Sequence, residues 1–103
     1  MSTKIILTTI DNGHRAEDIA EKLLKEKLAA CVSIVPIMSH YWWRGKIERS
    51  EEFEIRIKTK EKLVDTVLRR IKQLHNYELP VIDVINVEKS SEGEEKWIDE
   101  VTK

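Results

Sequence analysis

The sequence predicts an α+β domain in which an antiparallel sheet carries helices on one face. Two kinds of apolar pattern support this prediction. Alternating or β-branched runs are typical of strands, and stretches with apolar residues every three to four positions are typical of amphipathic helices. Their order along the 103 residues is β-α-β-β-α-β-α. A chain of this length fits one domain, residues 1–103.

The first strand and first helix have clear boundaries. The β-branched run over residues 4–10 predicts the strand, and Asp11-Asn12-Gly13 predicts a turn that caps the following helix. The apolar residues after this turn share one face of a helix with a 3.6-residue period. They are Ala16, Ile19, Ala20, Leu23, Leu24 and Leu28. The helix is therefore expected to extend to Leu28.

A long hairpin follows. Residues 30–43 predict an unusually long second strand, in which Pro36 is expected to cause a bulge or a bend because it cannot donate a ladder hydrogen bond. Arg44-Gly45-Lys46 predicts a tight turn. In the returning strand Phe53, Ile55 and Ile57 alternate with Glu52, Glu54, Arg56 and Lys58. This alternation predicts one buried and one polar face.

The last third of the chain completes the pattern. Thr59 is the expected N-cap of a second helix, which should end near His75 because Pro80 disfavours helix before it. Residues 81–87 predict the fourth strand. Ser91 and Glu94 have the spacing of a capping box for a short third helix, whose apolar face comprises Trp97, Ile98 and Val101. The first six elements match the split β-α-β, or ferredoxin-like, arrangement, with both main helices on the same face of the sheet.

The second strand predicts self-association. It is apolar on both faces, because Val32, Ile34, Met38 and Trp42 alternate with Val35, Ile37, Tyr41 and Trp43. Two helices on one face would leave the other apolar side in water, which soluble monomers rarely do. We assign Tyr41, Trp42, Trp43 and Lys46 to a subunit interface. The alternative is that the third helix folds back over the open face.

Composition excludes several classes of partner. Eighteen basic residues balance nineteen acidic ones, so there is no electrostatic signature of nucleic-acid binding, even though Tyr41, Trp42 and Trp43 are able to stack on bases.

No run is long and apolar enough for a membrane helix, and the N-terminus has no cleavable leader, so we expect a cytoplasmic protein. Cys31 is the only cysteine, which excludes an internal disulfide. The abundance of Lys and Glu is typical of thermostable proteins.

Four motifs resemble the CutA divalent-cation tolerance family. They are residues 26–32 (EKLAACV), 41–48 (YWWRGKIE), 57–59 (IKT) and 74–80 (LHNYELP), and residues 97–100 (WIDE) are similar as well. The resemblance implies a ferredoxin-like homotrimer linked to tolerance of copper and other divalent ions. The family usually has Pro after the motif histidine, where this chain has Asn76.

The resemblance also implies metal ligands, namely Cys31 and His75, with Glu78 nearby. Thiolate and imidazole suit copper or zinc. Each residue also has a purely structural interpretation: an isolated cysteine is commonly a small buried hydrophobe, and a histidine in a last helical turn complements the helix dipole. We therefore expect weak binding of copper or another divalent cation that folding does not require.

The remaining expectations concern ligands and catalysis. Glu51, Lys58 and Tyr77 are candidates for a cleft between subunits, or else solvated surface residues. The sequence has no phosphate-binding glycine loop, nucleophile elbow or zinc-protease motif, so we expect no enzyme. Two alternatives stay open: a trimeric small-ligand-sensing regulator of the same fold, and an acylphosphatase-type hydrolase.

Overall fold

The computed structural model describes residues 2–103 as an α+β domain built around a four-stranded antiparallel sheet. The elements are β1 (Thr3–Ile10), α1 (Gly13–Lys25), β2 (Cys31–Trp43), β3 (Lys46–Lys60), a 3-10 turn (Glu61–Leu63), α2 (Val64–Leu74), β4 (Ile82–Asn86) and α3 (Glu94–Val101). The strand order is β2-β3-β1-β4, and every neighbouring pair is antiparallel. This order confirms the predicted ferredoxin-like arrangement.

Helix α1 begins and ends on defined caps. The Asn12 side chain accepts hydrogen bonds from the backbone N–H groups of His14 and Arg15, as the turn motif predicted. The prediction that the helix reaches Leu28 was wrong. Lys27 adopts a left-handed conformation with φ of 59°, and the Leu28 N–H bonds back to the carbonyl of Leu23. This Schellman geometry ends the helix and turns Leu28 into the core from a loop.

The core lies between the sheet and helices α1 and α2. Ile6 and Ile10 of β1 and Ile55 and Ile57 of β3 are fully buried on the face that the helices cover. The helices contribute Ala16, Ile19, Leu23, Val67 and Ile71 to the same cluster. Because side chains of both helices pack in one core, the prediction that the two helices lie on the same face of the sheet is confirmed.

The second helix starts later than predicted. Thr59 is not its N-cap, because β3 continues to Lys60 by pairing with β1, and the 3-10 turn comes before α2. The Thr59 hydroxyl is buried and donates to the carbonyl of Leu28 at 2.7 Å. The helix ends at Leu74, with His75 as its C-cap. This confirms the end near His75 that was predicted from Pro80.

Strands β2 and β3 extend beyond the rest of the sheet. The last pair between β1 and β3 joins Ile10 to Phe53, so residues 37–52 form a two-stranded arm without a β1 neighbour. A two-residue turn, Arg44-Gly45, closes the arm with φ of 50° and 79°. The bulge expected at Pro36 was wrong: Pro36 pairs with Phe53 in an unbroken register. An edge strand tolerates proline, because the missing N–H can face the open edge.

Helix α3 packs on the other face of the sheet, at the end near the chain termini. Lys58 and Lys60 of β3 pair with Glu94 and Asp99 of α3, and Ile98 is fully buried. The predicted capping box does not form, because the Glu94 side chain binds Lys58 and the helix begins after Gly93 with φ of 87°. Helix α3 therefore covers the open face of the sheet only at this end, and the rest of that face stays uncovered by helices.

Among residues 2–103, no helix is long and apolar enough to cross a membrane.

Candidate functional site

A cleft of about 730 Å³ lies between the arm and the loop that follows α2. One wall is formed by residues 39–43 of the arm, which include three aromatic side chains. The opposite wall is formed by residues 76–79 and Val81 of the loop. Thr9 and Asp11 at the end of β1 and Glu52 at the base of the arm complete the lining. The volume is in the range of small-molecule sites, about 300–1,000 Å³.

His75 fixes the loop that forms this wall. Its Nδ1 accepts a hydrogen bond from the backbone N–H of Tyr77 at 3.0 Å. Its Nε2 lies 2.7 Å from the carbonyl oxygen of Thr9. Because Nδ1 is an acceptor, the ring hydrogen is on Nε2 and donates to Thr9. Both ring nitrogens are thus used within the chain, and His75 links the end of α2 to the end of β1.

Tyr77 continues this link to the arm. Its hydroxyl donates to Oε2 of Glu52 at 2.5 Å, the short distance typical of a hydrogen bond to a carboxylate. The Tyr77 ring also meets the His75 ring edge-on, with centroids 4.7 Å apart. Burial, together with the adjacent Glu52 carboxylate, raises the pKa of Tyr77 far above its usual value, so the hydroxyl stays protonated and remains a donor.

The cleft is negatively charged. Asp11, Glu52 and Glu78 line it, and no Lys or Arg is among its lining residues in the described chain. Glu52 is only 6% exposed, whereas the other two acids lie at the surface. At the rim, Arg44 pairs with Glu78 at 3.1 Å and its guanidinium lies 5.3 Å from the centre of the Trp43 ring. The aromatic wall therefore already holds one cation by a cation–π contact.

A second depression of about 600 Å³ lies beside the first and shares Asp11 and Glu52 with it. Glu51 lines this depression together with apolar residues of the arm and core. Two of the three predicted cleft residues, Glu51 and Tyr77, thus line adjoining pockets. The third, Lys58, lies at the other end of β3 in its pair with Glu94.

The three predicted metal ligands do not converge within one chain. Cys31 is exposed at the start of β2, in register with Lys58 and, through it, with Ile5 of β1. His75 contacts Thr9, four residues further along β1, which is about 13 Å along the strand direction. Glu78 lies in the cleft wall. In the part of the chain that the structure describes, no three His, Cys, Asp or Glu side chains form a metal-binding group.

The predicted interface residues lie on the arm. Tyr41 and Trp43 project from one face and Trp42 from the other, because side chains alternate along a strand. Trp42 pairs across the arm with Ile47, and Trp43 with Lys46. All four predicted interface residues are exposed in the single chain.

Sequence reasoning missed Asp11 and Glu52 as cleft residues. Alternation correctly placed Glu52 on the polar face of β3, but it gave no sign that this carboxylate is buried. Its partner, Tyr77, is 25 residues away and reaches it only because His75 fixes the loop. The signal that was available is the position of an acid at the base of the arm, immediately before the partly buried Phe53.

Comparisons with known proteins agree on one family. A family model described as CutA1 divalent ion tolerance protein matches residues 4–101. The divalent-cation tolerance protein CutA of Pyrococcus horikoshii is 40% identical over 99 residues, which are 96% of this chain and 97% of that protein. That of Archaeoglobus fulgidus is 42% identical over 95 residues, covering 92% and 93%. A solved structure from Archaeoglobus fulgidus, described as the periplasmic divalent cation tolerance protein CutA, has a TM-score of 0.95 at 40% identity and covers 98% of this chain and 99% of that one.

Proposed function

This chain belongs to the CutA1 divalent ion tolerance family, and from that premise we propose that it is a homotrimeric divalent-cation tolerance protein. It binds copper or another divalent cation weakly and catalyses no reaction. The observation that carries the proposal is the apolar surface of the arm, which a single chain leaves in water.

The arm supports self-association through its exposed apolar side chains. Trp42 is 72% exposed and its cross-strand neighbour Ile47 is 66% exposed, and Met38 lies on the same face. Leu79 and Val81 of the loop add further exposed apolar surface. Burying such side chains contributes about 25 cal/mol for each Å² removed from water, which favours a protein partner.

The sheet also offers two free edges. β2 forms one edge and β4 the other, so each has a row of backbone groups without a strand neighbour in the same chain. Contacts between unlike surfaces of identical chains close into a ring when the rotation permits. The family resemblance sets the expected number of chains at three.

Light scattering coupled to size-exclusion chromatography tests the assembly. At micromolar concentration the expected mass is three times the 12.1 kDa of one chain. Trp42→Glu and Ile47→Glu should each shift the protein towards the monomer, because a charge would be buried in the interface. Leu24→Glu, on the exposed surface of α1, is the matched control and should leave the mass unchanged. A wild-type monomer would refute the proposal.

The metal part of the proposal rests on Cys31, with His75 and Glu78 as further ligands. The thiol of Cys31 is exposed and accessible to a cation. Glu78 is exposed but paired with Arg44, and His75 must release two hydrogen bonds before it can bind a metal. Because the three donors lie apart in one chain, each bound cation has few protein ligands, which favours low affinity.

Calorimetric titration with Cu(II), repeated with redox-inert Zn(II), tests these ligands. Cys31→Ala should weaken binding by about tenfold or more, because loss of even an outer-shell partner of a metal ligand costs about 10–100-fold. Glu78→Gln should weaken it less, and His75→Ala least. Glu48→Gln, an exposed arm carboxylate outside the cleft, is the control. Equal affinities in all variants would remove these residues as ligands.

The two alternative functions gain no support. The relatives reported above are named tolerance proteins, and neither a signalling regulator nor an acylphosphatase is among them. The two-residue turn of the arm also differs from the long flexible loop expected of a ligand-sensing regulator. We propose a cytoplasmic location, which fractionation of the source cells would test against the periplasmic location in the description of the Archaeoglobus fulgidus structure.

A further inference from the structure

We propose that Asn12 is a site of spontaneous covalent modification, at which the side-chain amide becomes an aspartyl or isoaspartyl carboxylate when the start of α1 opens. The site is the Asn12-Gly13 pair, in which Asn12 is the N-cap of α1 and Gly13 its first residue. Neither residue belongs to the arm or to the proposed cation ligands. The inference therefore goes beyond the tolerance function and does not depend on the trimer.

The reaction needs only the chain and water. The backbone nitrogen of Gly13 attacks Cγ of Asn12, a C–N bond forms, and the side-chain nitrogen leaves as ammonia with the proton of the Gly13 N–H. Water then opens the succinimide ring. Cleavage between Cγ and the Gly13 nitrogen gives aspartate, and cleavage between the main-chain carbonyl carbon and that nitrogen gives isoaspartate. No electrons are transferred, so no oxidant or reductant is required.

The residue after each asparagine decides which of the three asparagines reacts. Ring closure brings the next backbone nitrogen against the asparagine side chain, and a side chain on the next residue hinders this approach. Gly13 has no side chain and the widest conformational freedom. Asn76 is instead followed by a tyrosine, and Asn86 by a β-branched valine. Asn12 is thus the one asparagine in the sequence whose neighbour leaves the approach open.

Packing and capping explain why the fold keeps this labile pair. A Cβ at position 13 would lie 3.3 Å from Cζ of Phe53, which packs against the core. This is closer than the roughly 3.5–4.0 Å of a favourable carbon contact, so glycine is the residue that fits. At position 12, asparagine is among the best N-cap residues. The pair is therefore favoured by structure, although asparagine is the kind of thermolabile residue that heat-adapted proteins tend to lose.

The cap geometry holds the pair in an unreactive conformation. The Asn12 side-chain oxygen accepts hydrogen bonds from the backbone N–H groups of His14 and Arg15 at 2.9 and 3.1 Å. The Asn12 backbone is extended, with ψ of 122°, so the Gly13 nitrogen points away from Cγ of Asn12. Ring closure requires ψ to rotate and both hydrogen bonds to break. Because helix ends open locally without global unfolding, the rate at Asn12 should follow the population of the opened cap.

The two products have opposite effects on α1. Aspartate keeps the capping oxygens and adds a negative charge at the helix N-terminus, which is favourable. Isoaspartate carries the chain through the former side-chain carbons. It therefore loses the capping side chain and displaces the carbonyl that accepts the Ala16 N–H at 3.0 Å. Chains with isoaspartate at position 12 should have a frayed first turn of α1.

Peptide mapping by mass spectrometry, after incubation of the whole protein at mildly alkaline pH and elevated temperature, tests the site. Conversion should occur at Asn12, with both products present, whereas Asn76 and Asn86 should keep their amides. It should be slower in the native protein than in guanidinium chloride at a concentration where circular dichroism shows unfolding. Arg15→Gly, in the exposed first turn, should accelerate native conversion about fivefold, since glycine lowers helix propensity there. Lys25→Gly makes the same change in the last turn and should leave the rate unchanged.

Three results would overturn the proposal. One is an intact Asn12 amide in the native protein over a period that converts the unfolded chain, which would show that the fold excludes the reaction. Another is an equal rate in native and unfolded protein, which would show that the cap has no control. The third is an equal rate in Arg15→Gly and Lys25→Gly, because the reaction would then not depend on opening at the start of α1.

Discussion

The hydrogen bond between Tyr77 and Glu52 should contribute more to the free energy of unfolding than any other contact that a tyrosine hydroxyl makes in this protein. Tyr77→Phe removes only the hydroxyl and keeps the ring that packs edge-on against His75. The substitution leaves the Glu52 carboxylate, 6% exposed, without its hydrogen-bond donor. The folded state should therefore lose stability although no apolar surface is lost.

The expected loss is about 2 kcal/mol. Hydrogen bonds to charged groups contribute about 1.5–3 kcal/mol, and the 2.5 Å distance marks a strong one. The lower half of this range applies because Tyr77 is only partly buried, so water can replace part of the lost contact. Tyr41→Phe is the matched control. Its hydroxyl makes an exposed contact of 3.4 Å with Ser50, and its loss should cost less than about 0.5 kcal/mol.

Urea unfolding at a fixed protein concentration measures both variants, because assembly adds a concentration-dependent term. A double-mutant cycle with Glu52→Gln isolates the pair, and we expect a coupling free energy of about 1 kcal/mol or more. In the same assay, wild-type stability should fall above pH 10, the usual tyrosine value. The raised pKa of Tyr77 keeps the proton on the folded state while the unfolded state loses it. Zero coupling, or equal losses in both Phe variants, would refute the assigned role of this bond.

Three further predictions concern the framework. The Arg70 guanidinium, by hydrogen bonding, lowers the pKa of Glu26 below 4.5, so the stability from this pair is present above that pH and is lost on acidification. In Glu26→Gln, the urea midpoint should therefore fall less on acidification than it does in the wild type. Lys27→Gly should stabilise the protein by about 0.5–1 kcal/mol, because glycine adopts the left-handed conformation at φ of 59° without a Cβ penalty. Asp99→Asn should accelerate hydrogen exchange in α3, because the Lys60 ammonium, whose side chain is 3% exposed, loses its carboxylate partner.

Each of these has a control on the same element or on the element beside it. Lys25→Gly, in the last turn of α1, should destabilise by up to about 1 kcal/mol, the opposite sign to the change at residue 27. Glu95→Gln, an exposed acid of α3, should not alter exchange in that helix. Glu17→Gln, on the exposed surface of α1, should keep the acid limb of wild type. If the control and the test variant of a pair behaved alike, the contact assigned to that residue would be wrong.

The order of the elements was predictable because it depends on local periodicity. Alternation identified the buried face of β3, and the 3.6-residue stripe identified α1 and α2. Their boundaries were less predictable where tertiary pairing overrides local preference. Thr59 has a good capping side chain, but pairing with β1 keeps it in a strand. Glu94 has capping-box spacing, but the ion pair with Lys58 competes for its carboxylate.

The cleft was less predictable than the fold, because its key contact joins residues of two different motifs. Periodicity places Glu52 on a polar face, where exposure is the usual outcome, and gives no information on residues far away in sequence. The burial of its carboxylate depends on a tyrosine in the loop after α2. Such a pair becomes visible only when the path of the loop is known.

His75 links the family motif to this cleft through its structure. Its Nε2–H holds the end of β1 and its Nδ1 holds the Tyr77 backbone, so the ring sets where the loop leaves α2. That position brings the Tyr77 hydroxyl to Glu52 and thereby joins the loop to the root of the arm. A histidine with both nitrogens engaged in this way positions a neighbouring residue. On this reasoning, loss of His75 should disturb the hydrogen bond between Tyr77 and Glu52 more than it disturbs cation binding at Cys31.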